Sequence, residues 1–100
     1  MAITVWQNRV APLFDVCNQI MIFDSERQLN HLKTVEVGKM SPANRLNAIS
    51  DSGTEILICN GISNFLAGCL QARSIRVLNN FTGHQREVLK LIKYNLFKEK

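Results

Sequence analysis

The spacing of apolar positions changes several times along the chain, and each change marks an element. Ile56-Leu57-Ile58-Cys59 is a short unbroken apolar run, the pattern of a strand covered on both faces. Asn60-Gly61 interrupts it. Ile62, Phe65, Leu66, Cys69 and Leu70 then recur at helical spacing and predict one apolar face of a helix over Ile62–Arg73. Ile75, Val77 and Leu78 predict a further short strand, closed by Asn79-Asn80-Phe81-Thr82-Gly83. Strand, crossover helix and second strand make a parallel unit, and ligands of such units bind beyond the carboxyl ends of the strands. That edge carries Cys59, Asn60, Gly61, Ser63, Asn79 and Asn80.

The first half reads as three strands. Ile3–Trp6 is β-branched and aromatic. Gln7–Asn18 follows as a loop, rigid at Pro12 and unusually apolar at Val10, Leu13, Phe14 and Val16, so part of it should fold back onto the core. Gln19–Asp24 is the second strand, Asp24-Ser25-Glu26-Arg27 a polar turn, and Gln28–Val37 the third strand. His31 and Lys33 mark that strand as an exposed edge. Ser41 as N-cap and Pro42 as first residue open a short helix with Leu46 and Ile49 as its stripe, ended by Asp51-Ser52-Gly53. Thr82 and Gln85 form a capping box for the last helix, whose buried face is Val88, Leu91, Ile92 and Leu96, broadened by Leu89. Gly68, inside the middle helix and near Ala67 and Ala72, predicts close backbone packing there.

One hundred residues, 46% of them hydrophobic, make a single domain over 1–100 with one core. No apolar run approaches the ~20 residues of a membrane span, and the amino-terminal stretch has no secretory pattern, so the expected location is cytoplasmic. The net charge of +4 is mildly basic; it suits an anionic partner, or is simply a solvated surface.

Cys17, Cys59 and Cys69 are an odd number at long spacings, without a C-x-x-C, which signals neither a disulfide framework nor a zinc knuckle. Cys17 ends the long loop, where a thiolate is a soft metal ligand or a small hydrophobe. Cys59 ends the central strand, in the core or at the rim, and Cys69 lies on the helical stripe with Ile62, Phe65 and Leu66, hence in the core. Gly61 supplies positive φ or a close backbone approach. The helix start after Asn60-Gly61-Ile62-Ser63 offers N–H groups to an anion; the same residues also suit a tight turn with Asn60 or Ser63 as cap. His84 in the first turn of the last helix is a metal ligand or a solvated imidazole. Arg86, Lys90 and Lys93 form a basic ridge, read as a solvated face rather than a nucleic-acid interface. Two-metal phosphoryl hydrolysis needs convergent carboxylates, and the first strand has none. No relay accompanies Ser63, so no enzyme is expected.

Nearly the whole chain also carries a resemblance. Ile58-Cys59-Asn60-Gly61-Ile62-Ser63, then Leu66 to Val77, then Phe81-Thr82-Gly83, together with Ile3-Thr4-Val5, Val10 to Asp15 and Ile20 to Asp24, resemble the dinitrogenase iron–molybdenum cofactor biosynthesis family. This family includes nitrogenase accessory factors that carry the cofactor or its precursor. The resemblance implies an α/β ribonuclease H-like motif: a five-stranded mixed sheet, order 3-2-1-4-5, flanked by three helices. The Gln7–Asn18 loop, Cys59–Ser63 and Asn79–Phe81 would then converge on one rim. Where some members have His-Phe-Gly-Ser-Cys, this chain has Leu13-Phe14-Asp15-Val16-Cys17 and keeps only the phenylalanine and the cysteine. The resemblance implies a small non-enzymatic binding or carrier protein for an iron–sulfur or molybdenum-containing cluster. Cys17 is the expected metal ligand, with Asn60, Gly61 and Ser63 facing the cluster or another anionic ligand. One thiolate is a poor chelate, so ligands from a second chain or an organic component are expected. The alternative is a metal-free protein-interaction module on the same fold, with a protein partner or homo-oligomer. Neither nucleic acid nor a membrane is expected as partner.

Overall fold

The computed structural model describes residues 1–24 and 30–97, with side chains described to residue 93. β1 is Ala2–Trp6, β2 Arg9–Val10, β3 Gln19–Asp24, β4 Asn30–Glu36, β5 Ile56–Ile58 and β6 Arg76–Leu78. The helices are α1 Pro42–Asp51, α2 Asn64–Ala72 and α3 Gln85–Phe97. The turn at Ser25–Arg27, the first two residues of the expected third strand (Gln28 and Leu29) and the side chain of Leu96 lie outside the described residues.

The result is a mixed α/β fold. β1 lies between β3, its antiparallel partner, and β5, its parallel partner. β4 pairs antiparallel with β3, and β6 parallel with β5. The sheet path is β4-β3-β1-β5-β6, with β2 off the path and paired to β1. The order thus differs from the expected 3-2-1-4-5 by one strand, because six strands rather than five pair among the described residues. The added strand, β2, stands inside the segment expected to be a loop. Gln7 (φ 51°) and Asn8 (φ 63°) turn β1 back on itself, so that Trp6 faces Arg9 and Val5 faces Val10. Two positive φ values in a two-residue link match the right-handed twist of a hairpin, and no glycine signals it here. The same segment also contains a 3-10 turn over Phe14–Val16.

Strand alternation divides the core between the two sheet faces. Ala2, Ile20, Ile22, Leu57 and Cys59 pack with Leu46 and Ile49 of α1 and Leu70 of α2. Ile3, Val5, Phe23 and Ile58 pack on the other face with Val88 and Ile92 of α3. Leu57 and Ile58 are both fully buried, because β5 is the strand covered on both sides. β4, the edge, is exposed along nearly its whole length. Its ladder with β3 shifts register between Ile22 and Phe23, and the bulge leaves Leu32 in solvent.

Several helical expectations need correction. Ser63 Oγ accepts from the Leu66 N–H at 3.2 Å, so α2 starts two residues later than expected. That start leaves Phe65 67% exposed. Only Leu70 is fully buried in α2, while Ile62, Leu66 and Cys69 are half-buried against the core. Gly68 is exposed, and a methyl group built on it would meet nothing within 4 Å, so no tightly packed helix face exists there. Among the described side chains of α3 the buried ones are Val88 and Ile92, while Leu91 is 52% exposed. Its cap is His84, whose Nδ1 accepts from the Arg86 N–H at 3.1 Å, in place of the expected Thr82. α1 begins as expected: Ser41 Oγ accepts from the Asn44 N–H at 3.2 Å, and Pro42 is the first helical residue.

Candidate functional site

The carboxyl ends of β1, β5 and β6 open on one rim, and backbone hydrogen bonds stitch its loops together. The Phe14 N–H donates to the Gly61 carbonyl at 2.7 Å and the Gly61 N–H to the Pro12 carbonyl at 2.9 Å, a short parallel bridge centred on Leu13 and Gly61. The Phe81 N–H donates to the Cys59 carbonyl at 3.2 Å and the Asn80 N–H to that of Asn60 at 3.3 Å. The Val10 N–H reaches the Gly83 carbonyl at 2.9 Å. The three expected segments therefore meet, with β2 and Gly83-His84 as further members of the rim.

Gly61 does not have a positive φ. A Cβ on it would stand 2.7 Å from Leu13 Cδ2 and 2.7 Å from the Pro12 carbonyl oxygen. Of the two readings open in the sequence, close backbone approach is the operative one. The approaching chain is the protein's own loop, and it takes the Gly61 N–H. Ser63 uses its hydroxyl as the α2 cap. Asn60 is half-buried and lines a cleft of about 250 Å³ with Trp6, Arg9, Pro12, Thr82 and Gly83.

Beneath the stitched loops lie the two buried thiols. Cys17 leaves the 3-10 turn with its N–H donated to the Phe14 carbonyl at 3.4 Å. It is fully buried in the core shared with Cys59, which is also fully buried. Burial pushes the Cys17 thiol up to about 11, with the Arg45 guanidinium pulling the other way. Burial does the same to Cys59, also up to about 11, and a charge on Cys17 raises it further. Both are therefore neutral thiols at neutral pH in the free protein. Cys69 stands apart on α2 as a half-buried free cysteine.

Arg45 went unnoticed in the sequence. It is only 5% exposed, on α1. Its Nε donates to the Val37 carbonyl at 3.1 Å, and its two terminal nitrogens reach the carbonyls of Phe14 (3.2 Å), Asp15 and Gly38 (3.3 Å). One guanidinium thus fastens α1 to both the 3-10 turn and the exit of β4. The available signal was spacing, since Arg45 stands four residues before Ile49 on the same stripe. Thr4, in the middle of β1, is fully buried, and its Oγ1 has no hydrogen-bond partner.

Other candidates lie elsewhere or have structural tasks. His84 is held as the α3 cap, with Nδ1 accepting. His31 Nε2 lies 3.0 Å from Thr34 Oγ1, beside the Phe23 ring. Arg86 and Lys90 are exposed, and Lys93 is half-buried on α3. Among the described residues no three His, Cys, Asp or Glu side chains gather where they can hold a metal ion. No helix among them is long and apolar enough to cross a membrane.

No family model matches the sequence, and no curated protein matches it. Solved structures do match. PH0822 aligns with a TM-score of 0.84 over 94% of this chain and 89% of its own, at 22% identity. The apo form of the orange protein from Desulfovibrio gigas aligns with a TM-score of 0.72, covering 90% of this chain and 77% of its own, at 20% identity. A candidate dinitrogenase from Methanocaldococcus jannaschii aligns with a TM-score of 0.70 over 94% and 86% of the two chains, at 15% identity. At such identities the likeness is one of architecture, and this chain is similar in fold to PH0822, the orange protein and the candidate dinitrogenase.

Proposed function

We propose that this chain is a small non-enzymatic binding or carrier protein. It holds a metal species or a metal cluster at the rim formed by the first loop and the Asn60-Gly61 turn. The observation that carries this reading is that two fully buried cysteines of one core cluster, Cys17 and Cys59, stand next in sequence to the two segments that the bridge joins. Thiolates are soft ligands suited to iron–sulfur and related chemistry. The resemblance to iron–molybdenum cofactor biosynthesis domains, the ribonuclease H-like classification that comes with it, and the fold shared with a candidate dinitrogenase support the same reading. The donor set fits a cluster only in part. Iron–sulfur clusters take four cysteine ligands, and the described residues gather no group of three. A cluster cargo therefore needs ligands from a second chain or an organic component, with Cys17 as this chain's ligand and Asn60 beside the cleft.

Anaerobic reconstitution with iron, sulfide and molybdate, followed by metal counting, tests this. Cys17→Ser should abolish the bound metal, and Cys69→Ser should leave its stoichiometry unchanged. Wild-type metal content in Cys17→Ser overturns the cluster-carrier reading.

A second reading, a metal-free interaction module, is favoured by one observation. Trp6, Leu13, Val16 and Phe65 are exposed by 38%, 54%, 44% and 67%, on the segments that form the rim and the start of α2. Exposed apolar side chains grouped in this way mark protein-interaction sites. Self-association measured by sedimentation, and its loss in Leu13→Ser and Phe65→Ser, tests that reading against a metal-dependent one.

A further inference from the structure

The hairpin at Gln7-Asn8 sets Trp6 directly opposite Arg9, so both side chains stand on one face of it. Both line the cleft of about 250 Å³, which Pro12, Asn60 and Thr82 help to close. Backbone bonds hold its edges: the Val10 N–H donates to the Gly83 carbonyl at 2.9 Å, and the Asn80 N–H to that of Asn60 at 3.3 Å. Among the described residues the Arg9 guanidinium pairs with no carboxylate and stacks on no ring, although Trp6 is its cross-strand neighbour. The Asn60 amide and the Thr82 hydroxyl make no hydrogen bond there either. No acidic residue lines this cleft. Three other clefts on the described surface each include a carboxylate, from Asp24 and Glu55, from Glu55, and from Glu36. One cleft thus joins an aromatic wall to an unpaired cation and two unused polar side chains, with no negative charge in it.

We infer that this cleft binds a small aromatic carboxylate. The inference goes beyond the carrier reading and does not rest on it, since it uses neither a metal nor a cysteine. A carboxylate matches the guanidinium fork of Arg9 through two parallel N–H···O bonds, and here no carboxylate of the cleft competes for that fork. The Asn60 amide and the Thr82 hydroxyl are further donors for its remaining lone pairs. The Trp6 indole and the Pro12 ring supply apolar surface suited to a flat ring. Size narrows the class. The cleft lies just under the ~300 Å³ at which pockets for drug-sized ligands begin, so it suits a single ring rather than a nucleotide. Charge narrows it as well, because one guanidinium neutralises a monoanion and leaves a phosphate dianion only half neutralised.

The test is a titration of the whole chain with p-fluorobenzoate in the presence of a metal chelator. Fluorine NMR follows the ligand, and fluorescence follows Trp6, the single tryptophan of the chain. Saturable binding with a Kd on the order of a millimolar is expected for so small a ligand, with the Trp6 signal changing at the same midpoint. Arg9→Gln should weaken binding by about tenfold or more, as loss of a charged hydrogen-bond partner does. Arg9→Lys keeps the charge but not the fork and should fall between. Undiminished binding in Arg9→Gln, or saturation that leaves Trp6 unchanged, overturns the site. Should the Arg9 variants fail to fold, comparisons on wild type decide. Equal affinity for p-fluorobenzyl alcohol overturns the role of the anion, and equal affinity for acetate overturns that of the ring. Tighter binding of p-fluorophenyl phosphate overturns the carboxylate class, and absence of saturation at tens of millimolar overturns the whole inference. The chelator keeps the two readings separate: failure here leaves metal uptake untouched, and wild-type metal content in Cys17→Ser leaves this cleft standing.

Discussion

Gly61 and Thr4 show how much a single position depends on what lies across from it. A glycine after a strand suits several turn geometries, and the sequence left positive φ and close approach equally open. The approach of Pro12 and Leu13 selects the second. Gly61→Ala drives a methyl group into a backbone carbonyl, which cannot yield as the end of a side chain does. We expect a loss of about 1–3 kcal/mol in urea denaturation, the usual cost of overpacking. An unchanged midpoint would mean that the first loop is not held against the turn. Thr4 reads in sequence as an ordinary β-branched strand residue, and only its buried, unpartnered hydroxyl distinguishes it. Thr4→Val removes a desolvated hydroxyl at nearly constant shape and should stabilise the free protein by about 1 kcal/mol. A lower melting temperature in that variant would show that the hydroxyl has a partner in solution.

At the scale of elements, α2 shows the difference between the existence of a helix and its exact placement. Five apolar residues at helical spacing identified it, yet Phe65 stands in solvent and Leu70 alone is fully buried. The stripe is real, but the nine-residue helix, flanked by three-residue strands, buries only part of it. Gly68 consequently faces open space. Gly68→Ala should therefore stabilise by up to about 1 kcal/mol, the helix-propensity difference, measured as a rise in the denaturation midpoint. Gly68→Leu should lie within about 0.5 kcal/mol of wild type, as exposed substitutions generally do. Strong destabilisation by leucine would show that another surface covers this face. α1 carries the opposite lesson. Its caps and stripe were legible, but its most consequential side chain is a charged one. Arg45 is drawn inward because the 3-10 turn and the exit of β4 leave carbonyl groups that only a multidentate donor can satisfy together.

For the whole molecule, the buried thiols tie stability to pH. Both have values raised to about 11 by burial, against an ordinary value of 9.0. A raised value means that the folded state holds its protons where the unfolded chain has lost them. The stabilisation is thus complete below pH 9.0 and is lost as pH rises through about 11. Wild type should weaken across that window more steeply than Cys59→Ala, as followed by denaturant midpoints at each pH. Equal slopes would mean that Cys59 is open to water. Thiol alkylation at pH 8 should accordingly reach half-buried Cys69 first and leave Cys17 and Cys59 to unfolding events.

Apolar spacing, Ser41-Pro42 and the run Ile56–Cys59 by themselves determined the three helices, the five strands of the main sheet path and the parallel half of the sheet. These are local signals, carried by periodicity and capping chemistry within a few residues. The resemblance to a known family implies that the three loops meet on one rim, and backbone hydrogen bonds join them there. The hairpin at Gln7-Asn8 was not legible, because no glycine stands in it and one of its two positive φ values falls on a glutamine. The burial of Cys17 and Cys59 in one core, the inward turn of Arg45 and the isolation of the Thr4 hydroxyl were decided only by tertiary structure. Each depends on contacts between segments far apart in the chain, where burial and charge are set by what packs across the sheet rather than by neighbours in sequence.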